Sequence, residues 1–167
     1  MNMKAKIVLL LFCLISAGVF GFYKLAEMFA PGSYPYAEIY ELNFSEKNTL
    51  NAIKQFQVQY PEIVVPKVTI KNKGSFNLGE SEGQKGDAHW YSIYFYYPKE
   101  NRIVYACTRP NGKEKTSFAF VLLNEGLDIG HWKDINKDFD SIENDKLKHE
   151  FEVRILKPIM KIAKNMK

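Results

Sequence analysis

Histidines and their acidic neighbours limit the reactions that this 167-residue chain could catalyse. Two of the three histidines have an aspartate nearby: His89 follows Asp87, and His131 precedes Asp134. A histidine held by a carboxylate can act as a general base, so either pair would suit a hydrolase. The alternative is that both histidines have only a structural role. Because the chain has no Gly-x-Ser-x-Gly or HExxH motif, we expect that it is not an enzyme.

The segment from Asp134 to Asp140 has oxygen-bearing side chains at alternate positions. Asp134, Asn136, Asp138 and Asp140 resemble the first half of an EF-hand calcium loop, and calcium prefers such hard oxygen ligands. Phe139 stands where that loop needs glycine, and the bidentate glutamate is missing. A calcium-stabilised structural module is one interpretation, and a solvated loop before a helix cap is the other. No further cofactor is expected.

Aromatic residues are concentrated between residues 88 and 97, where both faces of a strand carry rings. Alternate residues of a strand point to opposite sides of the sheet, so one face should pack beneath helices. The other face would then present residue types that dominate protein-recognition sites. We predict a binding surface on that face, formed by Trp90, Tyr94, Tyr96, Arg102, Arg109 and Trp132. The alternative is a sheet whose second face is covered by loops.

The fold that must position these residues is predicted to be α+β. Aromatic and β-branched segments near 88–97, 102–108 and 115–123 indicate an antiparallel β-meander, with a hairpin signal at Asn111-Gly112. Amphipathic segments predict helices near 45–60 and 141–165, with Ser45 and Asp140 as N-caps. Pro158 should kink or split the second helix. A Pro/Gly/Tyr-rich joint at 31–35 should precede one domain over 36–167.

An apolar run at the start of the chain predicts a membrane anchor within residues 1–30. Residues 7–23 carry no charge, and continuation to Ala30 would make a helix long enough to cross a bilayer. Lys4 and Lys6 should keep the N-terminus in the cytoplasm. The chain is thus expected to be a single-pass signal-anchor protein, with the lipid bilayer around residues 7–30 and a periplasmic or extracellular domain. A cleaved signal peptide, which would release the domain, is the alternative.

The net charge and the domain organisation of the chain exclude some classes of function. The net charge of +4 is modest and no nucleic-acid motif accompanies it, so nucleic acid is not an expected partner. No CxxC or Cys/His cluster offers a zinc site. A small tethered domain without a catalytic motif suits a binding protein whose partner is another protein, and which could neutralise that partner as immunity proteins do. A hydrolase and a calcium-stabilised module are the alternatives.

Overall fold

The computed structural model describes residues 12–22, 34–70, 74–79, 81–82 and 90–166. The chain divides into two compact units, Met1–Pro35 and Tyr36–Lys167. In the first unit, residues 12–22 form a helix and are all exposed.

The structure contradicts the predicted transmembrane anchor. None of the helices in the described ranges is long and apolar enough to cross a membrane. The single-pass, signal-anchor assignment and the periplasmic or extracellular location derived from it are therefore wrong. Residues 1–11 and 23–33, which the prediction also used, lie outside the described part of the chain.

The second unit is α+β with an antiparallel sheet, as the sequence predicts. Its main sheet has the strand order β1-β7-β6-β5-β4, and β8 pairs with β7. Strands β2 and β3 form a separate two-stranded sheet. The predicted meander is confirmed as β5, β6 and β7. In chain order, the strands are β1 (Glu38–Leu42), β2 (Val68–Thr69), β3 (Ser75–Phe76), β4 (Ser81–Glu82), β5 (Tyr91–Tyr97), β6 (Arg102–Pro110), β7 (Thr116–Glu125) and β8 (Trp132–Asp134).

Tight turns and one irregularity set the register of the meander. Asn101 and Gly112 adopt positive φ values of 50° and 80° in the turns that follow β5 and β6. The register of β6 against β7 shifts between Tyr105 and Ala106. An extra residue at such a β-bulge lets side chains three positions apart face the same side. Phe120 and Leu123 accordingly both belong to the core.

Three α-helices cover one face of the sheet: α1 (Glu46–Gln59), α2 (Ser141–Phe151) and α3 (Lys157–Asn165). Both predicted N-caps are confirmed, since Ser45 Oγ accepts from the Asn48 amide at 3.4 Å and Asp140 Oδ1 from the Glu143 amide at 2.8 Å. A 3-10 turn at Pro61–Ile63 follows α1. The core beneath the helices includes the stacked rings of Phe120 and Phe151, whose centroids are 4.6 Å apart.

The second predicted helix continues through Pro158 as two α-helices joined by a π-turn, Glu152–Leu156. In this turn, the Lys157 amide donates to the Glu152 carbonyl, five residues earlier. The buried residues Leu147, Phe151, Ile155, Ile159 and Ala163 recur every four positions. In a regular α-helix such a series would rotate about 40° per step, or about 160° in all. The extra residue in the wide turn removes most of that rotation, so the series stays against the sheet.

Candidate binding surfaces

Three aromatic rings pack together on the sheet face opposite the helices. Tyr94 and Tyr105 are paired across β5 and β6, and their ring centroids lie 5.0 Å apart. Strand β8 places Trp132 with its centroid 6.3 Å from each of them. Tyr105 is 7% exposed, whereas Tyr94 and Trp132 are half-buried. This ring cluster, formed by Tyr94, Tyr105 and Trp132, therefore leaves two aromatic side chains partly exposed to solvent.

Burial affects the chemistry of the ring cluster. Burial, and then the neighbouring Tyr105, raise the pKa of Tyr94 above its ordinary value. The hydroxyl groups of Tyr105 and Ser92 are 3.1 Å apart and share a hydrogen bond. At neutral pH the cluster thus combines uncharged, largely apolar rings with phenol hydroxyls that can donate and accept hydrogen bonds.

A second aromatic position on the predicted surface is arranged differently. The ring of Trp90 is only 9% exposed, and the guanidinium carbon of Arg109 lies 4.5 Å from its centroid. Arg109 is exposed, so the cation and not the indole meets solvent. The geometry is that of a cation–π pair, in which the indole limits the freedom of the arginine side chain. Trp90 thus supports Arg109 and offers little contact area of its own.

The remaining predicted surface residues lie near the other end of the meander. Arg102 pairs with Glu125 through Nε and Nη2, at 2.9 and 2.8 Å from Oε1. Tyr96 donates a hydrogen bond of 2.8 Å to Asn101 Oδ1 and lines the cleft between the helices and the β5–β6 turn. The six predicted residues therefore do not form one continuous aromatic patch.

The sequence reasoning missed Tyr105, which completes the ring cluster. The four-residue turn Pro98–Asn101 sets the pairing of Tyr97 with Arg102, and the same register places Tyr94 opposite Tyr105. Counting outward from that turn would have identified the pair, because directly opposed residues lie on the same face. Trp132 was included, but nothing in the sequence specified that β8 would bring it to this pair.

The histidine pairs expected for a hydrolase do not form a described catalytic site. His89 and Asp87 lie outside the described residues. The His131 backbone amide donates to Asn124 Oδ1 at 3.0 Å. Within the described ranges no hydrogen bond joins His131 to Asp134, and the Asp134 carboxylate pairs instead with Lys137 at 3.2 Å. No carboxylate among the residues that the structure describes is hydrogen-bonded to the His131 ring.

The proposed calcium loop is a turn whose side-chain oxygens accept hydrogen bonds from the protein itself. Asp138 Oδ2 accepts from the Asp134 amide at 2.8 Å, and Asn136 Oδ1 accepts from Asn144 Nδ2 at 2.6 Å. Asp140 caps α2. The described part of the chain contains no group of three or more His, Cys, Asp or Glu side chains that could hold a metal ion. These oxygens therefore organise the loop that leads into α2.

An open cleft of about 550 Å³ lies between the end of α1, the β5–β6 turn and the start of α3. Its volume falls in the range that small-ligand sites occupy. The cleft was not predicted from the sequence, because three segments that are distant in the chain form its walls. The lining residues are Phe56, Tyr60, Glu62, Ile63, Tyr96, Pro98, Lys99, Glu100, Arg154 and Pro158.

Arg154, in the π-turn, is the central charged residue of this cleft. Its Nη1 donates to Glu100 Oε1 at 3.0 Å and to Glu150 Oε1 at 2.5 Å. Its guanidinium carbon lies 3.7 Å from the centroid of the Tyr97 ring. Burial acts to raise the pKa of Glu100, but the hydrogen bond from Arg154 and one from a backbone amide hold that pKa below its ordinary value. Glu100 is thus a carboxylate that accepts hydrogen bonds.

No protein-family model and no curated protein matches this chain.

Proposed function

We propose that the Tyr36–Lys167 unit is a binding module that recognises another protein through the ring cluster. The observation that supports this proposal is the half-buried pair Tyr94 and Trp132, which packs on Tyr105 at the sheet surface. Tyrosine and tryptophan contribute large contact areas with few rotatable bonds, and they are enriched at the energetic centres of protein interfaces. The rigid sheet holds both rings before a partner arrives, which lowers the entropy lost on binding.

Arg109 adds a charged contact to the proposed interface. It is exposed and stacked on Trp90, and the Glu41 carboxylate attracts it electrostatically without forming an ion pair among the described residues. A guanidinium that is already oriented can make two parallel hydrogen bonds to a carboxylate of a partner. The proposed partner therefore has an apolar patch beside an acidic residue.

Site-specific photocrosslinking tests this proposal. A photoreactive phenylalanine analogue placed at Trp132 should crosslink one partner in cells of the source organism. The matched position is Val58, which is 80% exposed on α1 and lies on the other side of the sheet. The expected result is an adduct of defined mass from position 132 that is absent from position 58. Identical adducts from both positions, or none from position 132, would contradict the proposal.

Substitutions then test the ring cluster with the purified partner. Trp132→Ala should weaken binding at least tenfold, because truncating an interface hot spot costs about 2 kcal/mol or more. Val58→Ala should leave the affinity unchanged. The narrower expectation that binding neutralises the partner stays a prediction.

A further inference from the structure

The cleft beside Arg154 has an apolar floor that can receive a flat ligand surface. Tyr60 is 45% exposed, and its ring centroid lies 5.0 Å from that of the buried Phe56. Pro98 and Pro158 contribute rigid aliphatic rings to the lining of the cleft. Rings and prolines in fixed positions stack well against a rigid ligand that carries C–H groups on one face.

The cleft and its immediate surroundings carry charged side chains of both signs. Glu62 and Glu100 contribute two carboxylates to the lining, and Lys99 and Arg154 contribute two cations. Glu150 also binds Arg154 and adds a third carboxylate nearby. An anionic ligand would meet the repulsion of these carboxylates, and a cationic ligand would meet Lys99 and Arg154. An uncharged ligand avoids both forms of repulsion.

Hydrogen-bonding groups of both kinds remain available in the cleft. Arg154 uses only Nη1 for its two carboxylates, and its Nε and Nη2 donate no hydrogen bond to the residues that the structure describes. The Glu62 carboxylate is exposed and accepts no hydrogen bond within the same ranges. A ligand that accepts from Arg154 and donates to Glu62 would use both of these groups. Hydroxyl groups do both, whereas a proline-rich peptide offers carbonyl acceptors and few donors.

We infer that this cleft binds the sugar units of an uncharged carbohydrate. A pyranose ring would place its C–H face on Tyr60 and direct its hydroxyl groups to Arg154 and Glu62. This site is separate from the ring cluster, so it goes beyond the protein-binding function proposed above. The two proposals can fail independently.

NMR titration of the full chain with three neutral disaccharides, namely maltose, cellobiose and diacetylchitobiose, tests the inference. At least one should cause saturable shifts of the backbone amides of Tyr60, Glu100 and Arg154, with a Kd in the millimolar range or tighter. Decaproline serves as the competing probe. The absence of saturable shifts with all three sugars, or saturable shifts with decaproline alone, would overturn the inference.

Two variants connect the shifts to the cleft. Tyr60→Ala should weaken binding of the responding sugar at least tenfold, and Glu62→Ala should weaken it several-fold. Glu62 is exposed on a 3-10 turn, so its replacement keeps the test valid even if Tyr60→Ala fails to fold. The matched control is Tyr36→Ala, because Tyr36 is 38% exposed beneath Lys137 and does not line the cleft. Equal loss of affinity in the control and in Tyr60→Ala would mean that the sugar does not bind in the cleft.

Discussion

Arg154 joins three parts of the fold through one side chain. Its guanidinium stacks on Tyr97 of β5, and Nη1 binds Glu100 in the following turn and Glu150 in α2. Sequence inspection alone treats this arginine as one of several basic residues near the C-terminus. Its contacts become apparent only when the π-turn directs it toward the sheet.

Replacement of Arg154 by alanine should lower the free energy of unfolding by about 1–2 kcal/mol. The variant loses a cation–π contact and two partly exposed ion pairs, each of which contributes up to about 1 kcal/mol. Urea denaturation measures the difference. The matched control is Arg109→Ala, which loses a cation–π contact with Trp90 but no described ion pair, and should cost about 0.5 kcal/mol. Equal losses in the two variants would mean that the Arg154 ion pairs contribute nothing to stability.

The elements that the sequence predicted well are those with strong local signals. A run of aromatic and β-branched residues located β5, and the side chains of Ser45 and Asp140 located the starts of α1 and α2. The π-turn was not predicted, although Pro158 and the four-residue spacing of buried positions both indicated an irregular helix. A regular α-helix accommodates neither feature. Proline clashes with the carbonyl four residues earlier, and a four-residue spacing of buried positions exceeds the 3.6 residues of an α-helical turn.

Deletion of Val153 tests why the π-turn exists. Val153 is 45% exposed, so its side chain contributes little to packing. Removing one residue should convert the wide turn into a regular α-helix and leave Ile155 and Ile159 facing the core. Pro158 would then lie in an α-helix interior, and we expect a loss of about 3 kcal/mol in the free energy of unfolding.

The same deletion combined with Pro158→Ala should recover most of that loss, because the new residue restores the backbone donor and removes the ring clash. Val153→Ala is the control and should change stability by less than about 0.5 kcal/mol. Chemical denaturation of the four proteins provides the comparison. If the deletion alone is harmless, the π-turn does not serve to accommodate the proline.

At the scale of the whole molecule, the sequence predicted the sheet and the helices but not the sites that form where distant elements meet. Trp132 meets Tyr94 and Tyr105 because β8 returns to β7, and the cleft forms where α1, the β5–β6 turn and α3 converge. These contacts link residues far apart in sequence, so no local pattern specifies them. The predicted membrane anchor is contradicted, because none of the helices in the described part of the chain is long and apolar enough to cross a bilayer.

Two tyrosines beneath the helices should make the folded molecule sensitive to alkaline pH. Tyr97 is 2% exposed, and burial raises the pKa of its hydroxyl well above the ordinary value of about 10. Burial, followed by the nearby Glu152 and Glu38, likewise raises the pKa of Tyr40. Above pH 10 the unfolded chain releases these protons while the folded chain retains them. Ionisation thus favours unfolding, and each tyrosine should lower stability by about 1.4 kcal/mol per pH unit.

Tyr97→Phe should therefore make the protein less sensitive to alkali. At pH 8 the variant should match or slightly exceed the wild type, because the Tyr97 hydroxyl has no hydrogen-bond partner among the described residues. At pH 11 its advantage in the free energy of unfolding should be about 1 kcal/mol larger than at pH 8. Urea denaturation at both pH values measures this change, with Tyr60→Phe as the control, since solvent reaches the 45% exposed Tyr60. If the free energy of unfolding of Tyr97→Phe falls as steeply between pH 8 and pH 11 as that of the wild type, the buried phenol does not control alkaline unfolding.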